Sequence, residues 1–171
     1  MSKMSTELVR HALNGPTMGT RWSALFHAAQ GFDPAPVRAG LQAAVAAVDA
    51  QMSTWTPDSD LMRLNAASVG EWQPLPRDLA GVLALGLAIG RASDGAFDIG
   101  QGDSVRAWGF GPSPADPQAI RDAMQARRRP AFELLELEGD RLRKTGPVAI
   151  HQPRKWNPRR SHDEYQACPE T

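Results

Sequence analysis

Cysteine is almost absent from the chain. Its single thiol, Cys168, lies close to the last residue and has no partner for an internal disulfide. A disulfide-stabilised scaffold is therefore excluded, and a lone thiol beside a proline has no sequence context for nucleophilic catalysis. The 4 histidines show no metal-binding spacing such as HxxxH. Neither residue type predicts a catalytic or metal site.

The chain also has no excess of positive or negative charge. The chain has 19 Lys and Arg against 19 Asp and Glu, so its formal net charge is zero. Since no overall field attracts it to nucleic acid or to anionic lipid, we expect a ligand that is recognised locally. With 42% hydrophobic residues in a length of 171, the composition indicates one globular domain.

Long apolar runs are missing too. The N-terminal sequence MSKMSTELVRHALNG lacks the apolar run of roughly 7–15 residues that a signal peptide needs, which predicts a cytoplasmic protein. The longest apolar stretch, Leu79 to Gly90, is shorter than the roughly 20 residues that span a bilayer, and it is typical of a core helix. We expect no membrane segment.

Helical spacing of apolar residues predicts three main helices. The first starts near Pro36 and has one apolar face (Val37, Leu41, Val45, Val48 and Met52). The second runs from Arg77 or Asp78 to about Arg91 and buries Leu79, Val82, Leu83 and Gly86. The third runs from Gln118 to about Arg129 after an Asp116-Pro117 cap, with Ile120 and Met124 inward. A shorter helix with Leu61, Met62 and Leu64 follows Asp58 or Ser59.

Two regions show the pattern of β-strands. Asn14, Gly15 and Pro16 predict a turn, after which Trp22, Ala24 and Phe26 alternate with polar residues. Near the end, FELLELEGDRLRKTGPVAI predicts a hairpin that turns at residues 138–140 and leads to a third strand at Val148 to Ile150. The order predicts an α+β fold with a mixed or antiparallel sheet and packed helices.

Composition divides the chain into three segments. Residues 1–13 form a polar N-terminal segment, and residues 14–150 carry the predicted helices and strands. Residues 151–171 contain three prolines and no Leu, Ile, Val or Phe. We therefore expect a folded domain over 14–150 and a disordered tail after it.

The stretch from Ser93 to Pro112, SDGAFDIGQGDSVRAWGFGP, is a long glycine-rich loop directly after a helix, and long ordered loops are often functional. Its Phe97 offers a ring for stacking, and Asp98 can accept hydrogen bonds from a ligand. The alternative is structural: Phe97 fills the core and Asp98 caps the next turn.

Other candidate ligand groups also have structural alternatives. Three of the five tryptophans, Trp55, Trp72 and Trp108, fall on predicted loops, where an indole lines a flat-ligand site or covers a core edge. The carboxylates of TPDSD suit either a cation or a helix cap, and caps are the commoner use.

Taken in order, GPTMGTRWS, AAVDAQMSTWTPDSDLMRLN and ASDGAFDIGQGDSVRAWGFGP resemble the N-terminal half of the ApbE family, the FAD:protein FMN transferases. The resemblance covers roughly Asn14 to Ile150. It implies binding of FAD and, with Mg²⁺, transfer of FMN to a threonine of an acceptor protein. The positions that correspond to flavin contacts are Met18, Trp55, Ala96, Phe97 and Asp98; no catalytic residue or metal ligand is assigned in this chain.

The resemblance ends at His151, where the family has an aspartate before a glycine-rich segment like NGIAKG. It therefore implies a truncated chain that lacks the catalytic half and exposes the faces meant for it. If the codons of Lys155 to Asn157 are read one base further on, they can encode Asn-Gly-Ile, the start of the family's glycine-rich segment. We therefore hypothesise that the reading frame is shifted near codon 150. The alternatives to an impaired transferase are a non-catalytic flavin-binding module and a pseudogene fragment.

Overall fold

The computed structural model describes residues 7–18, 20–110, 114–126 and 128–151. Within them, helices pack with two antiparallel sheets, which confirms the predicted α+β class. The predicted disordered tail, with Cys168, lies outside the described residues except for His151.

The fold begins with a β-hairpin that contains β1 (Leu8–Thr17) and β2 (Thr20–Ala29). Alternate residues of β2 are half-buried, which confirms the predicted strand. The prediction of a turn at Asn14 to Pro16 was wrong, because these residues belong to β1 and pair with β2, and the chain reverses between Thr17 and Thr20. Strand β1 also begins inside the segment 1–13, where Leu13 is buried.

Helix α1 (Ala35–Met52) lies against the hairpin and confirms the first predicted helix. The Trp22 Nε1 donates to Gln42 Oε1 at 3.0 Å, which ties the sheet to the helix. Of the face predicted to be apolar, Met52 is buried, whereas Val48 is 41% exposed. The helix therefore covers the hairpin mainly with half-buried side chains.

The central helices form the core. Ser59 accepts from Met62 N at 3.2 Å and caps α2 (Asp60–Ala66), as one of the two alternatives predicted. Helix α3 (Arg77–Ala92) confirms the second predicted helix and buries Leu79, Ala80, Leu83, Gly86, Leu87 and Gly90. Val82 was also predicted to be buried, and this prediction was wrong. The buried residues of α3 lie on a neighbouring stripe of the helix and leave Val82 42% exposed.

The long loop after α3 is interrupted by α4 (Gly102–Ala107), which the sequence did not predict. It is followed by α5 (Pro117–Gln125), capped by Asp116 as predicted. The predicted helix was too long, because Ala126 is already extended. Met124, predicted to point inward, is 74% exposed.

The last elements build a small sheet. Helix α6 (Ala131–Leu134) leads into β4 (Leu135–Glu138) and β5 (Arg141–Lys144), the predicted hairpin. A short β3 (Gln73–Pro74), unpredicted, pairs with β5, so the sheet order is β3-β5-β4. The predicted third strand was wrong: Ala149 forms a single parallel bridge with Gln101.

One hydrophobic cluster joins the central helices to this sheet. Its members are Met52, Leu61, Leu64, Leu75, Leu79, Ala80, Leu83, Leu87, Ile99, Ala131, Leu135, Leu142 and Ile150. None of the helices in the described ranges combines the length and the apolar character needed to cross a membrane.

Candidate functional site

Met18 occupies the tip of the first hairpin in a strained conformation. Its φ is 41°, in the left-handed region that residues other than glycine, asparagine and aspartate rarely adopt. The residue is half-buried, and it packs against the hydrophobic cluster. A positive φ is what the first residue of a two-residue hairpin loop needs, and a methionine in this conformation costs free energy that the surrounding structure must offset.

Trp55 lies on the connection between α1 and α2 and is 40% exposed. Two buried serines fix this connection. Ser59 Oγ donates to Ser53 O at 2.6 Å, and Ser53 Oγ accepts from Trp55 N at 3.2 Å. The backbone that carries the indole is therefore held in place while part of its ring faces solvent.

The end of α3 sets the start of the glycine-rich loop. Gly95 N donates to Gly90 O at 2.9 Å and Asp94 N donates to Arg91 O at 3.3 Å, the paired bonds of a Schellman cap. Asp94, with a φ of 51°, takes the left-handed position next to the helix end, one residue before Gly95.

Ser93 holds the next turn of the loop. The backbone N–H of Ala96 donates to Ser93 O at 3.1 Å, and that of Phe97 donates to Ser93 Oγ at 3.0 Å. The backbone N–H groups of Ala96 and Phe97 are therefore both bonded within the protein.

Asp98 organises the loop. Its Oδ1 accepts from Gly100 N at 2.8 Å and from Ala131 N at 3.0 Å, and its Oδ2 accepts from Gln101 Nε2 at 3.2 Å. The Gly100 bond caps the next turn, which is the structural alternative set out for Asp98 above, and the Ala131 bond ties the loop to the first residue of α6. An ionised carboxylate has about four acceptor positions, so Oδ2 keeps capacity for a ligand donor.

Of the five predicted residues, Met18 and Phe97 are partly buried and pack against the hydrophobic cluster. Trp55 and Ala96 are exposed. Two surface depressions lie elsewhere, of about 590 Å³ between α4 and α5 and about 530 Å³ between α3 and β4. None of the five predicted residues lines either depression.

The chain that follows β5 runs beside the loop. Gly102 N donates to Ala149 O at 2.9 Å, and His151 N donates to Ile99 O at 2.8 Å. On the other side, Asn65 binds both backbone groups of Ile150. Sequence reasoning missed Asn65, and its local context, a short amphipathic helix, carries no signal of so distant a partner.

Lys144 is a buried cation, 6% exposed at the end of β5. Its Nζ donates to Asn65 O at 2.8 Å. Burial lowers the pKa of this lysine from its ordinary value of 10.5, because the charged form loses hydration.

The described residues do not supply a metal site, since they contain no group of three or more His, Cys, Asp or Glu arranged to hold an ion. In TPDSD, Ser59 caps α2 and Asp60 pairs with Arg63. The predicted use of this motif as a cap is confirmed. Of the other two loop tryptophans, Trp72 has the guanidinium groups of Arg141 and Arg143 over its ring, each 4.8 Å from the ring centre. Trp108 is 53% exposed.

The arrangement of helices and antiparallel sheets is that of the flavin transferases. The structure superposes on that of the *Pseudomonas stutzeri* flavinyl transferase ApbE in its apo form with a TM-score of 0.69 and 28% identity, over 84% of this chain and 47% of that one. With the flavin transferase ApbE from *Vibrio cholerae* the TM-score is 0.72 at 25% identity, over 85% and 48%.

The sequence gives the same assignment. The chain belongs to the ApbE family, whose profile matches residues 18–151. It is 39% identical over 117 residues to the FAD:protein FMN transferase of *Klebsiella pneumoniae* (strain 342), covering 65% of this chain and 33% of that protein. The *Escherichia coli* K12 protein of the same name is 37% identical, over 67% and 34%.

The chain matches only part of each of these relatives. The chain spans about a third of the length of these curated relatives and about half of the solved structures. The relatives' names describe those proteins as FAD:protein FMN transferases.

Proposed function

We propose that the chain forms the flavin-binding part of an FAD:protein FMN transferase. The observation that carries the proposal is Met18: a strained turn residue inside the family-matched region, packed against the same cluster as Phe97. Strained backbone conformations cluster at active sites and ligand-binding positions, which supports the proposal. The family assignment then supplies the chemical class of ligand, a flavin dinucleotide.

In this proposal the five residues bind and orient FAD. The Met18 thioether and the Trp55 indole pack on a flat ring face, and the carbonyl oxygens of Ala96 and Phe97 accept from ring N–H groups. Asp98 holds the loop through Oδ1 and meets a ligand donor through Oδ2.

The reaction proposed is attack by a threonine hydroxyl of an acceptor protein on the FMN phosphorus. The phosphoanhydride bond of FAD breaks, the new P–O bond forms, AMP leaves, and the hydroxyl proton passes to a base. The resemblance implies Mg²⁺ in this reaction, but the described residues do not fit a magnesium site. The roles assigned here are therefore limited to binding and orientation.

The test uses the purified 171-residue chain. FAD fluorescence is titrated with protein, and AMP release is then measured with a threonine-containing acceptor, with and without Mg²⁺. Saturable binding of FAD supports the proposal, and Mg²⁺-dependent AMP release would show in addition that this chain performs the transfer. Binding without AMP release fits both the flavin-binding part of a transferase and a non-catalytic flavin-binding module, and absence of binding contradicts both.

A further inference from the structure

Helix α3 is apolar on its exposed side as well as on its buried side. Between Asp78 and Arg91 every exposed residue is glycine or apolar, and these residues form the outer face of α3: Gly81, Val82, Ala84, Leu85, Ala88 and Ile89. Leu85 is 62% exposed, and Val82 and Ile89 are each 42% exposed. A surface helix normally has polar residues on its outer side, whereas a helix that is apolar all round is usually buried. The outer face of α3 therefore has the character of a contact surface.

The outer face is complementary to a second copy of itself. Residues seven positions apart lie on nearly the same side of a helix, about 10 Å apart along its axis. Val82 and Ile89 form such a pair on one side of Leu85, and Gly81 and Ala88 form another on its other side. In an antiparallel pair of helices with Leu85 at the two-fold axis, Val82 therefore meets Ile89 of the second copy. By the same symmetry Gly81 meets Ala88 of the second copy, so large side chains fill one flank and small ones allow close approach on the other.

The charges at the ends of α3 favour the antiparallel arrangement. Arg77 and Asp78 lie in the first turn and Arg91 in the last, and neither Asp78 nor Arg91 forms an ion pair with another described residue. Antiparallel pairing brings Asp78 of one copy, together with Arg77, to Arg91 of the other. Parallel pairing places the two Arg91 side chains beside each other. A lipid surface fits less well, because membrane-surface helices are rich in Lys and Arg along their polar face and the outer face of α3 has none.

We propose that two copies of this chain associate through the outer faces of α3, with the helices antiparallel and Leu85 at the two-fold axis. Helix α3 has 16 residues and is about 24 Å long, so a contact limited to it is smaller than a standard protein interface. The dimer is therefore weak and forms in a concentration-dependent way. The inference does not depend on flavin binding, because none of the proposed flavin contacts lies on the outer face.

Sedimentation velocity of the purified full chain, from about 1 to about 300 µM, measures the monomer–dimer equilibrium, and we expect the dimer fraction to rise with concentration. Leu85→Glu places an unpaired charge at the axis and should raise the dissociation constant at least about tenfold. Leu25→Glu is the matched control, since Leu25 is 61% exposed on β2, and it should change the constant less than about twofold. Circular dichroism checks that both variants fold. A chain that stays monomeric at every concentration overturns the proposal, and so does a dimer that Leu85→Glu leaves intact.

Cysteine cross-linking tests the antiparallel arrangement in chains that also carry Cys168→Ser. On oxidation Leu85→Cys should form a disulfide-linked dimer, because the two thiols meet at the axis. Val82→Cys should cross-link with Ile89→Cys when the two variants are mixed, but not with itself. Cross-linking of Val82→Cys with itself would indicate parallel helices and overturn the proposal. Absence of a cross-link in both Leu85→Cys and the mixed pair would overturn it as well.

Discussion

The side chain of Asn65 pairs with the backbone of Ile150 as a neighbouring strand would. Its Nδ2 donates to Ile150 O at 3.0 Å, and its Oδ1 accepts from Ile150 N at 2.8 Å. The two residues are separated by 85 positions. Because Ala149 also bonds to Gly102, this pair links α2 to the far side of the glycine-rich loop. The loop is therefore positioned by contacts on both sides.

Asn65→Ala tests this link. Losing both hydrogen bonds leaves the N–H and C=O of Ile150 without those partners, and we expect the free energy of unfolding to fall by about 1–3 kcal/mol. Urea denaturation measures the change. Gln118→Ala on the exposed surface of α5 is the control, with an expected change within about 0.5 kcal/mol. Equal effects of the two substitutions would show that the pair contributes nothing specific.

Gly102 is required by close contact with the same segment. A Cβ at this position would lie 2.7 Å from Ala149 O, a backbone atom that cannot rotate away. We expect Gly102→Ala to destabilise the protein by about 1–3 kcal/mol. Gly81→Ala is the matched control, because that helical position has nothing within 4 Å and alanine should add about 0.5–1 kcal/mol. Melting temperatures that shift in the same direction would refute the contact.

The burial of Lys144 leads us to expect that the free energy of unfolding depends on pH. Because its pKa is lowered in the fold, the unfolded chain binds more protons between that lowered value and 10.5. The free energy of unfolding therefore rises with pH across this window. Lys144→Met lacks this contribution, so wild type should gain stability relative to the variant as pH increases. Urea denaturation of both proteins from neutral pH towards 10.5 measures it, and curves that stay parallel would rule out the burial effect.

Elements set by nearby residues could be predicted from the sequence. The apolar spacing of α1, the alternation of β2 and the caps at Ser59 and Asp116 all depend on residues a few positions apart. The family motifs likewise identified the candidate flavin contacts, which remain predictions.

Features that depend on residues far apart in the chain could not be predicted from the sequence. The short β3 exists because β5 offers it a partner, and Asn65 is committed to Ile150 by the fold alone. Met124 has correct helical spacing, yet α5 ends one residue later and leaves it exposed. At the end of α3, Asp94 takes a position that local preference gives to glycine.

Asp98 allows its structural and ligand roles to be separated. Asp98→Asn keeps Oδ1 as acceptor for Gly100 and Ala131, whereas Asp98→Ala removes both bonds. We expect a loss of about 2–4 kcal/mol in stability for alanine and about 1 kcal/mol or less for asparagine. If Oδ2 meets the flavin, Asp98→Asn should still weaken FAD binding about tenfold. Unchanged FAD affinity in this variant would assign the residue a structural role only.

The most direct test of the proposed flavin site compares two exposed tryptophans. FAD affinity is measured by fluorescence titration for wild type, Trp55→Ala and Trp108→Ala, whose indoles are 40% and 53% exposed. Loss of a stacked ring costs about 1–3 kcal/mol, so Trp55→Ala should weaken binding about tenfold or more while Trp108→Ala leaves it unchanged. Equal affinities for wild type and Trp55→Ala, or an equal loss in both variants, would contradict the site.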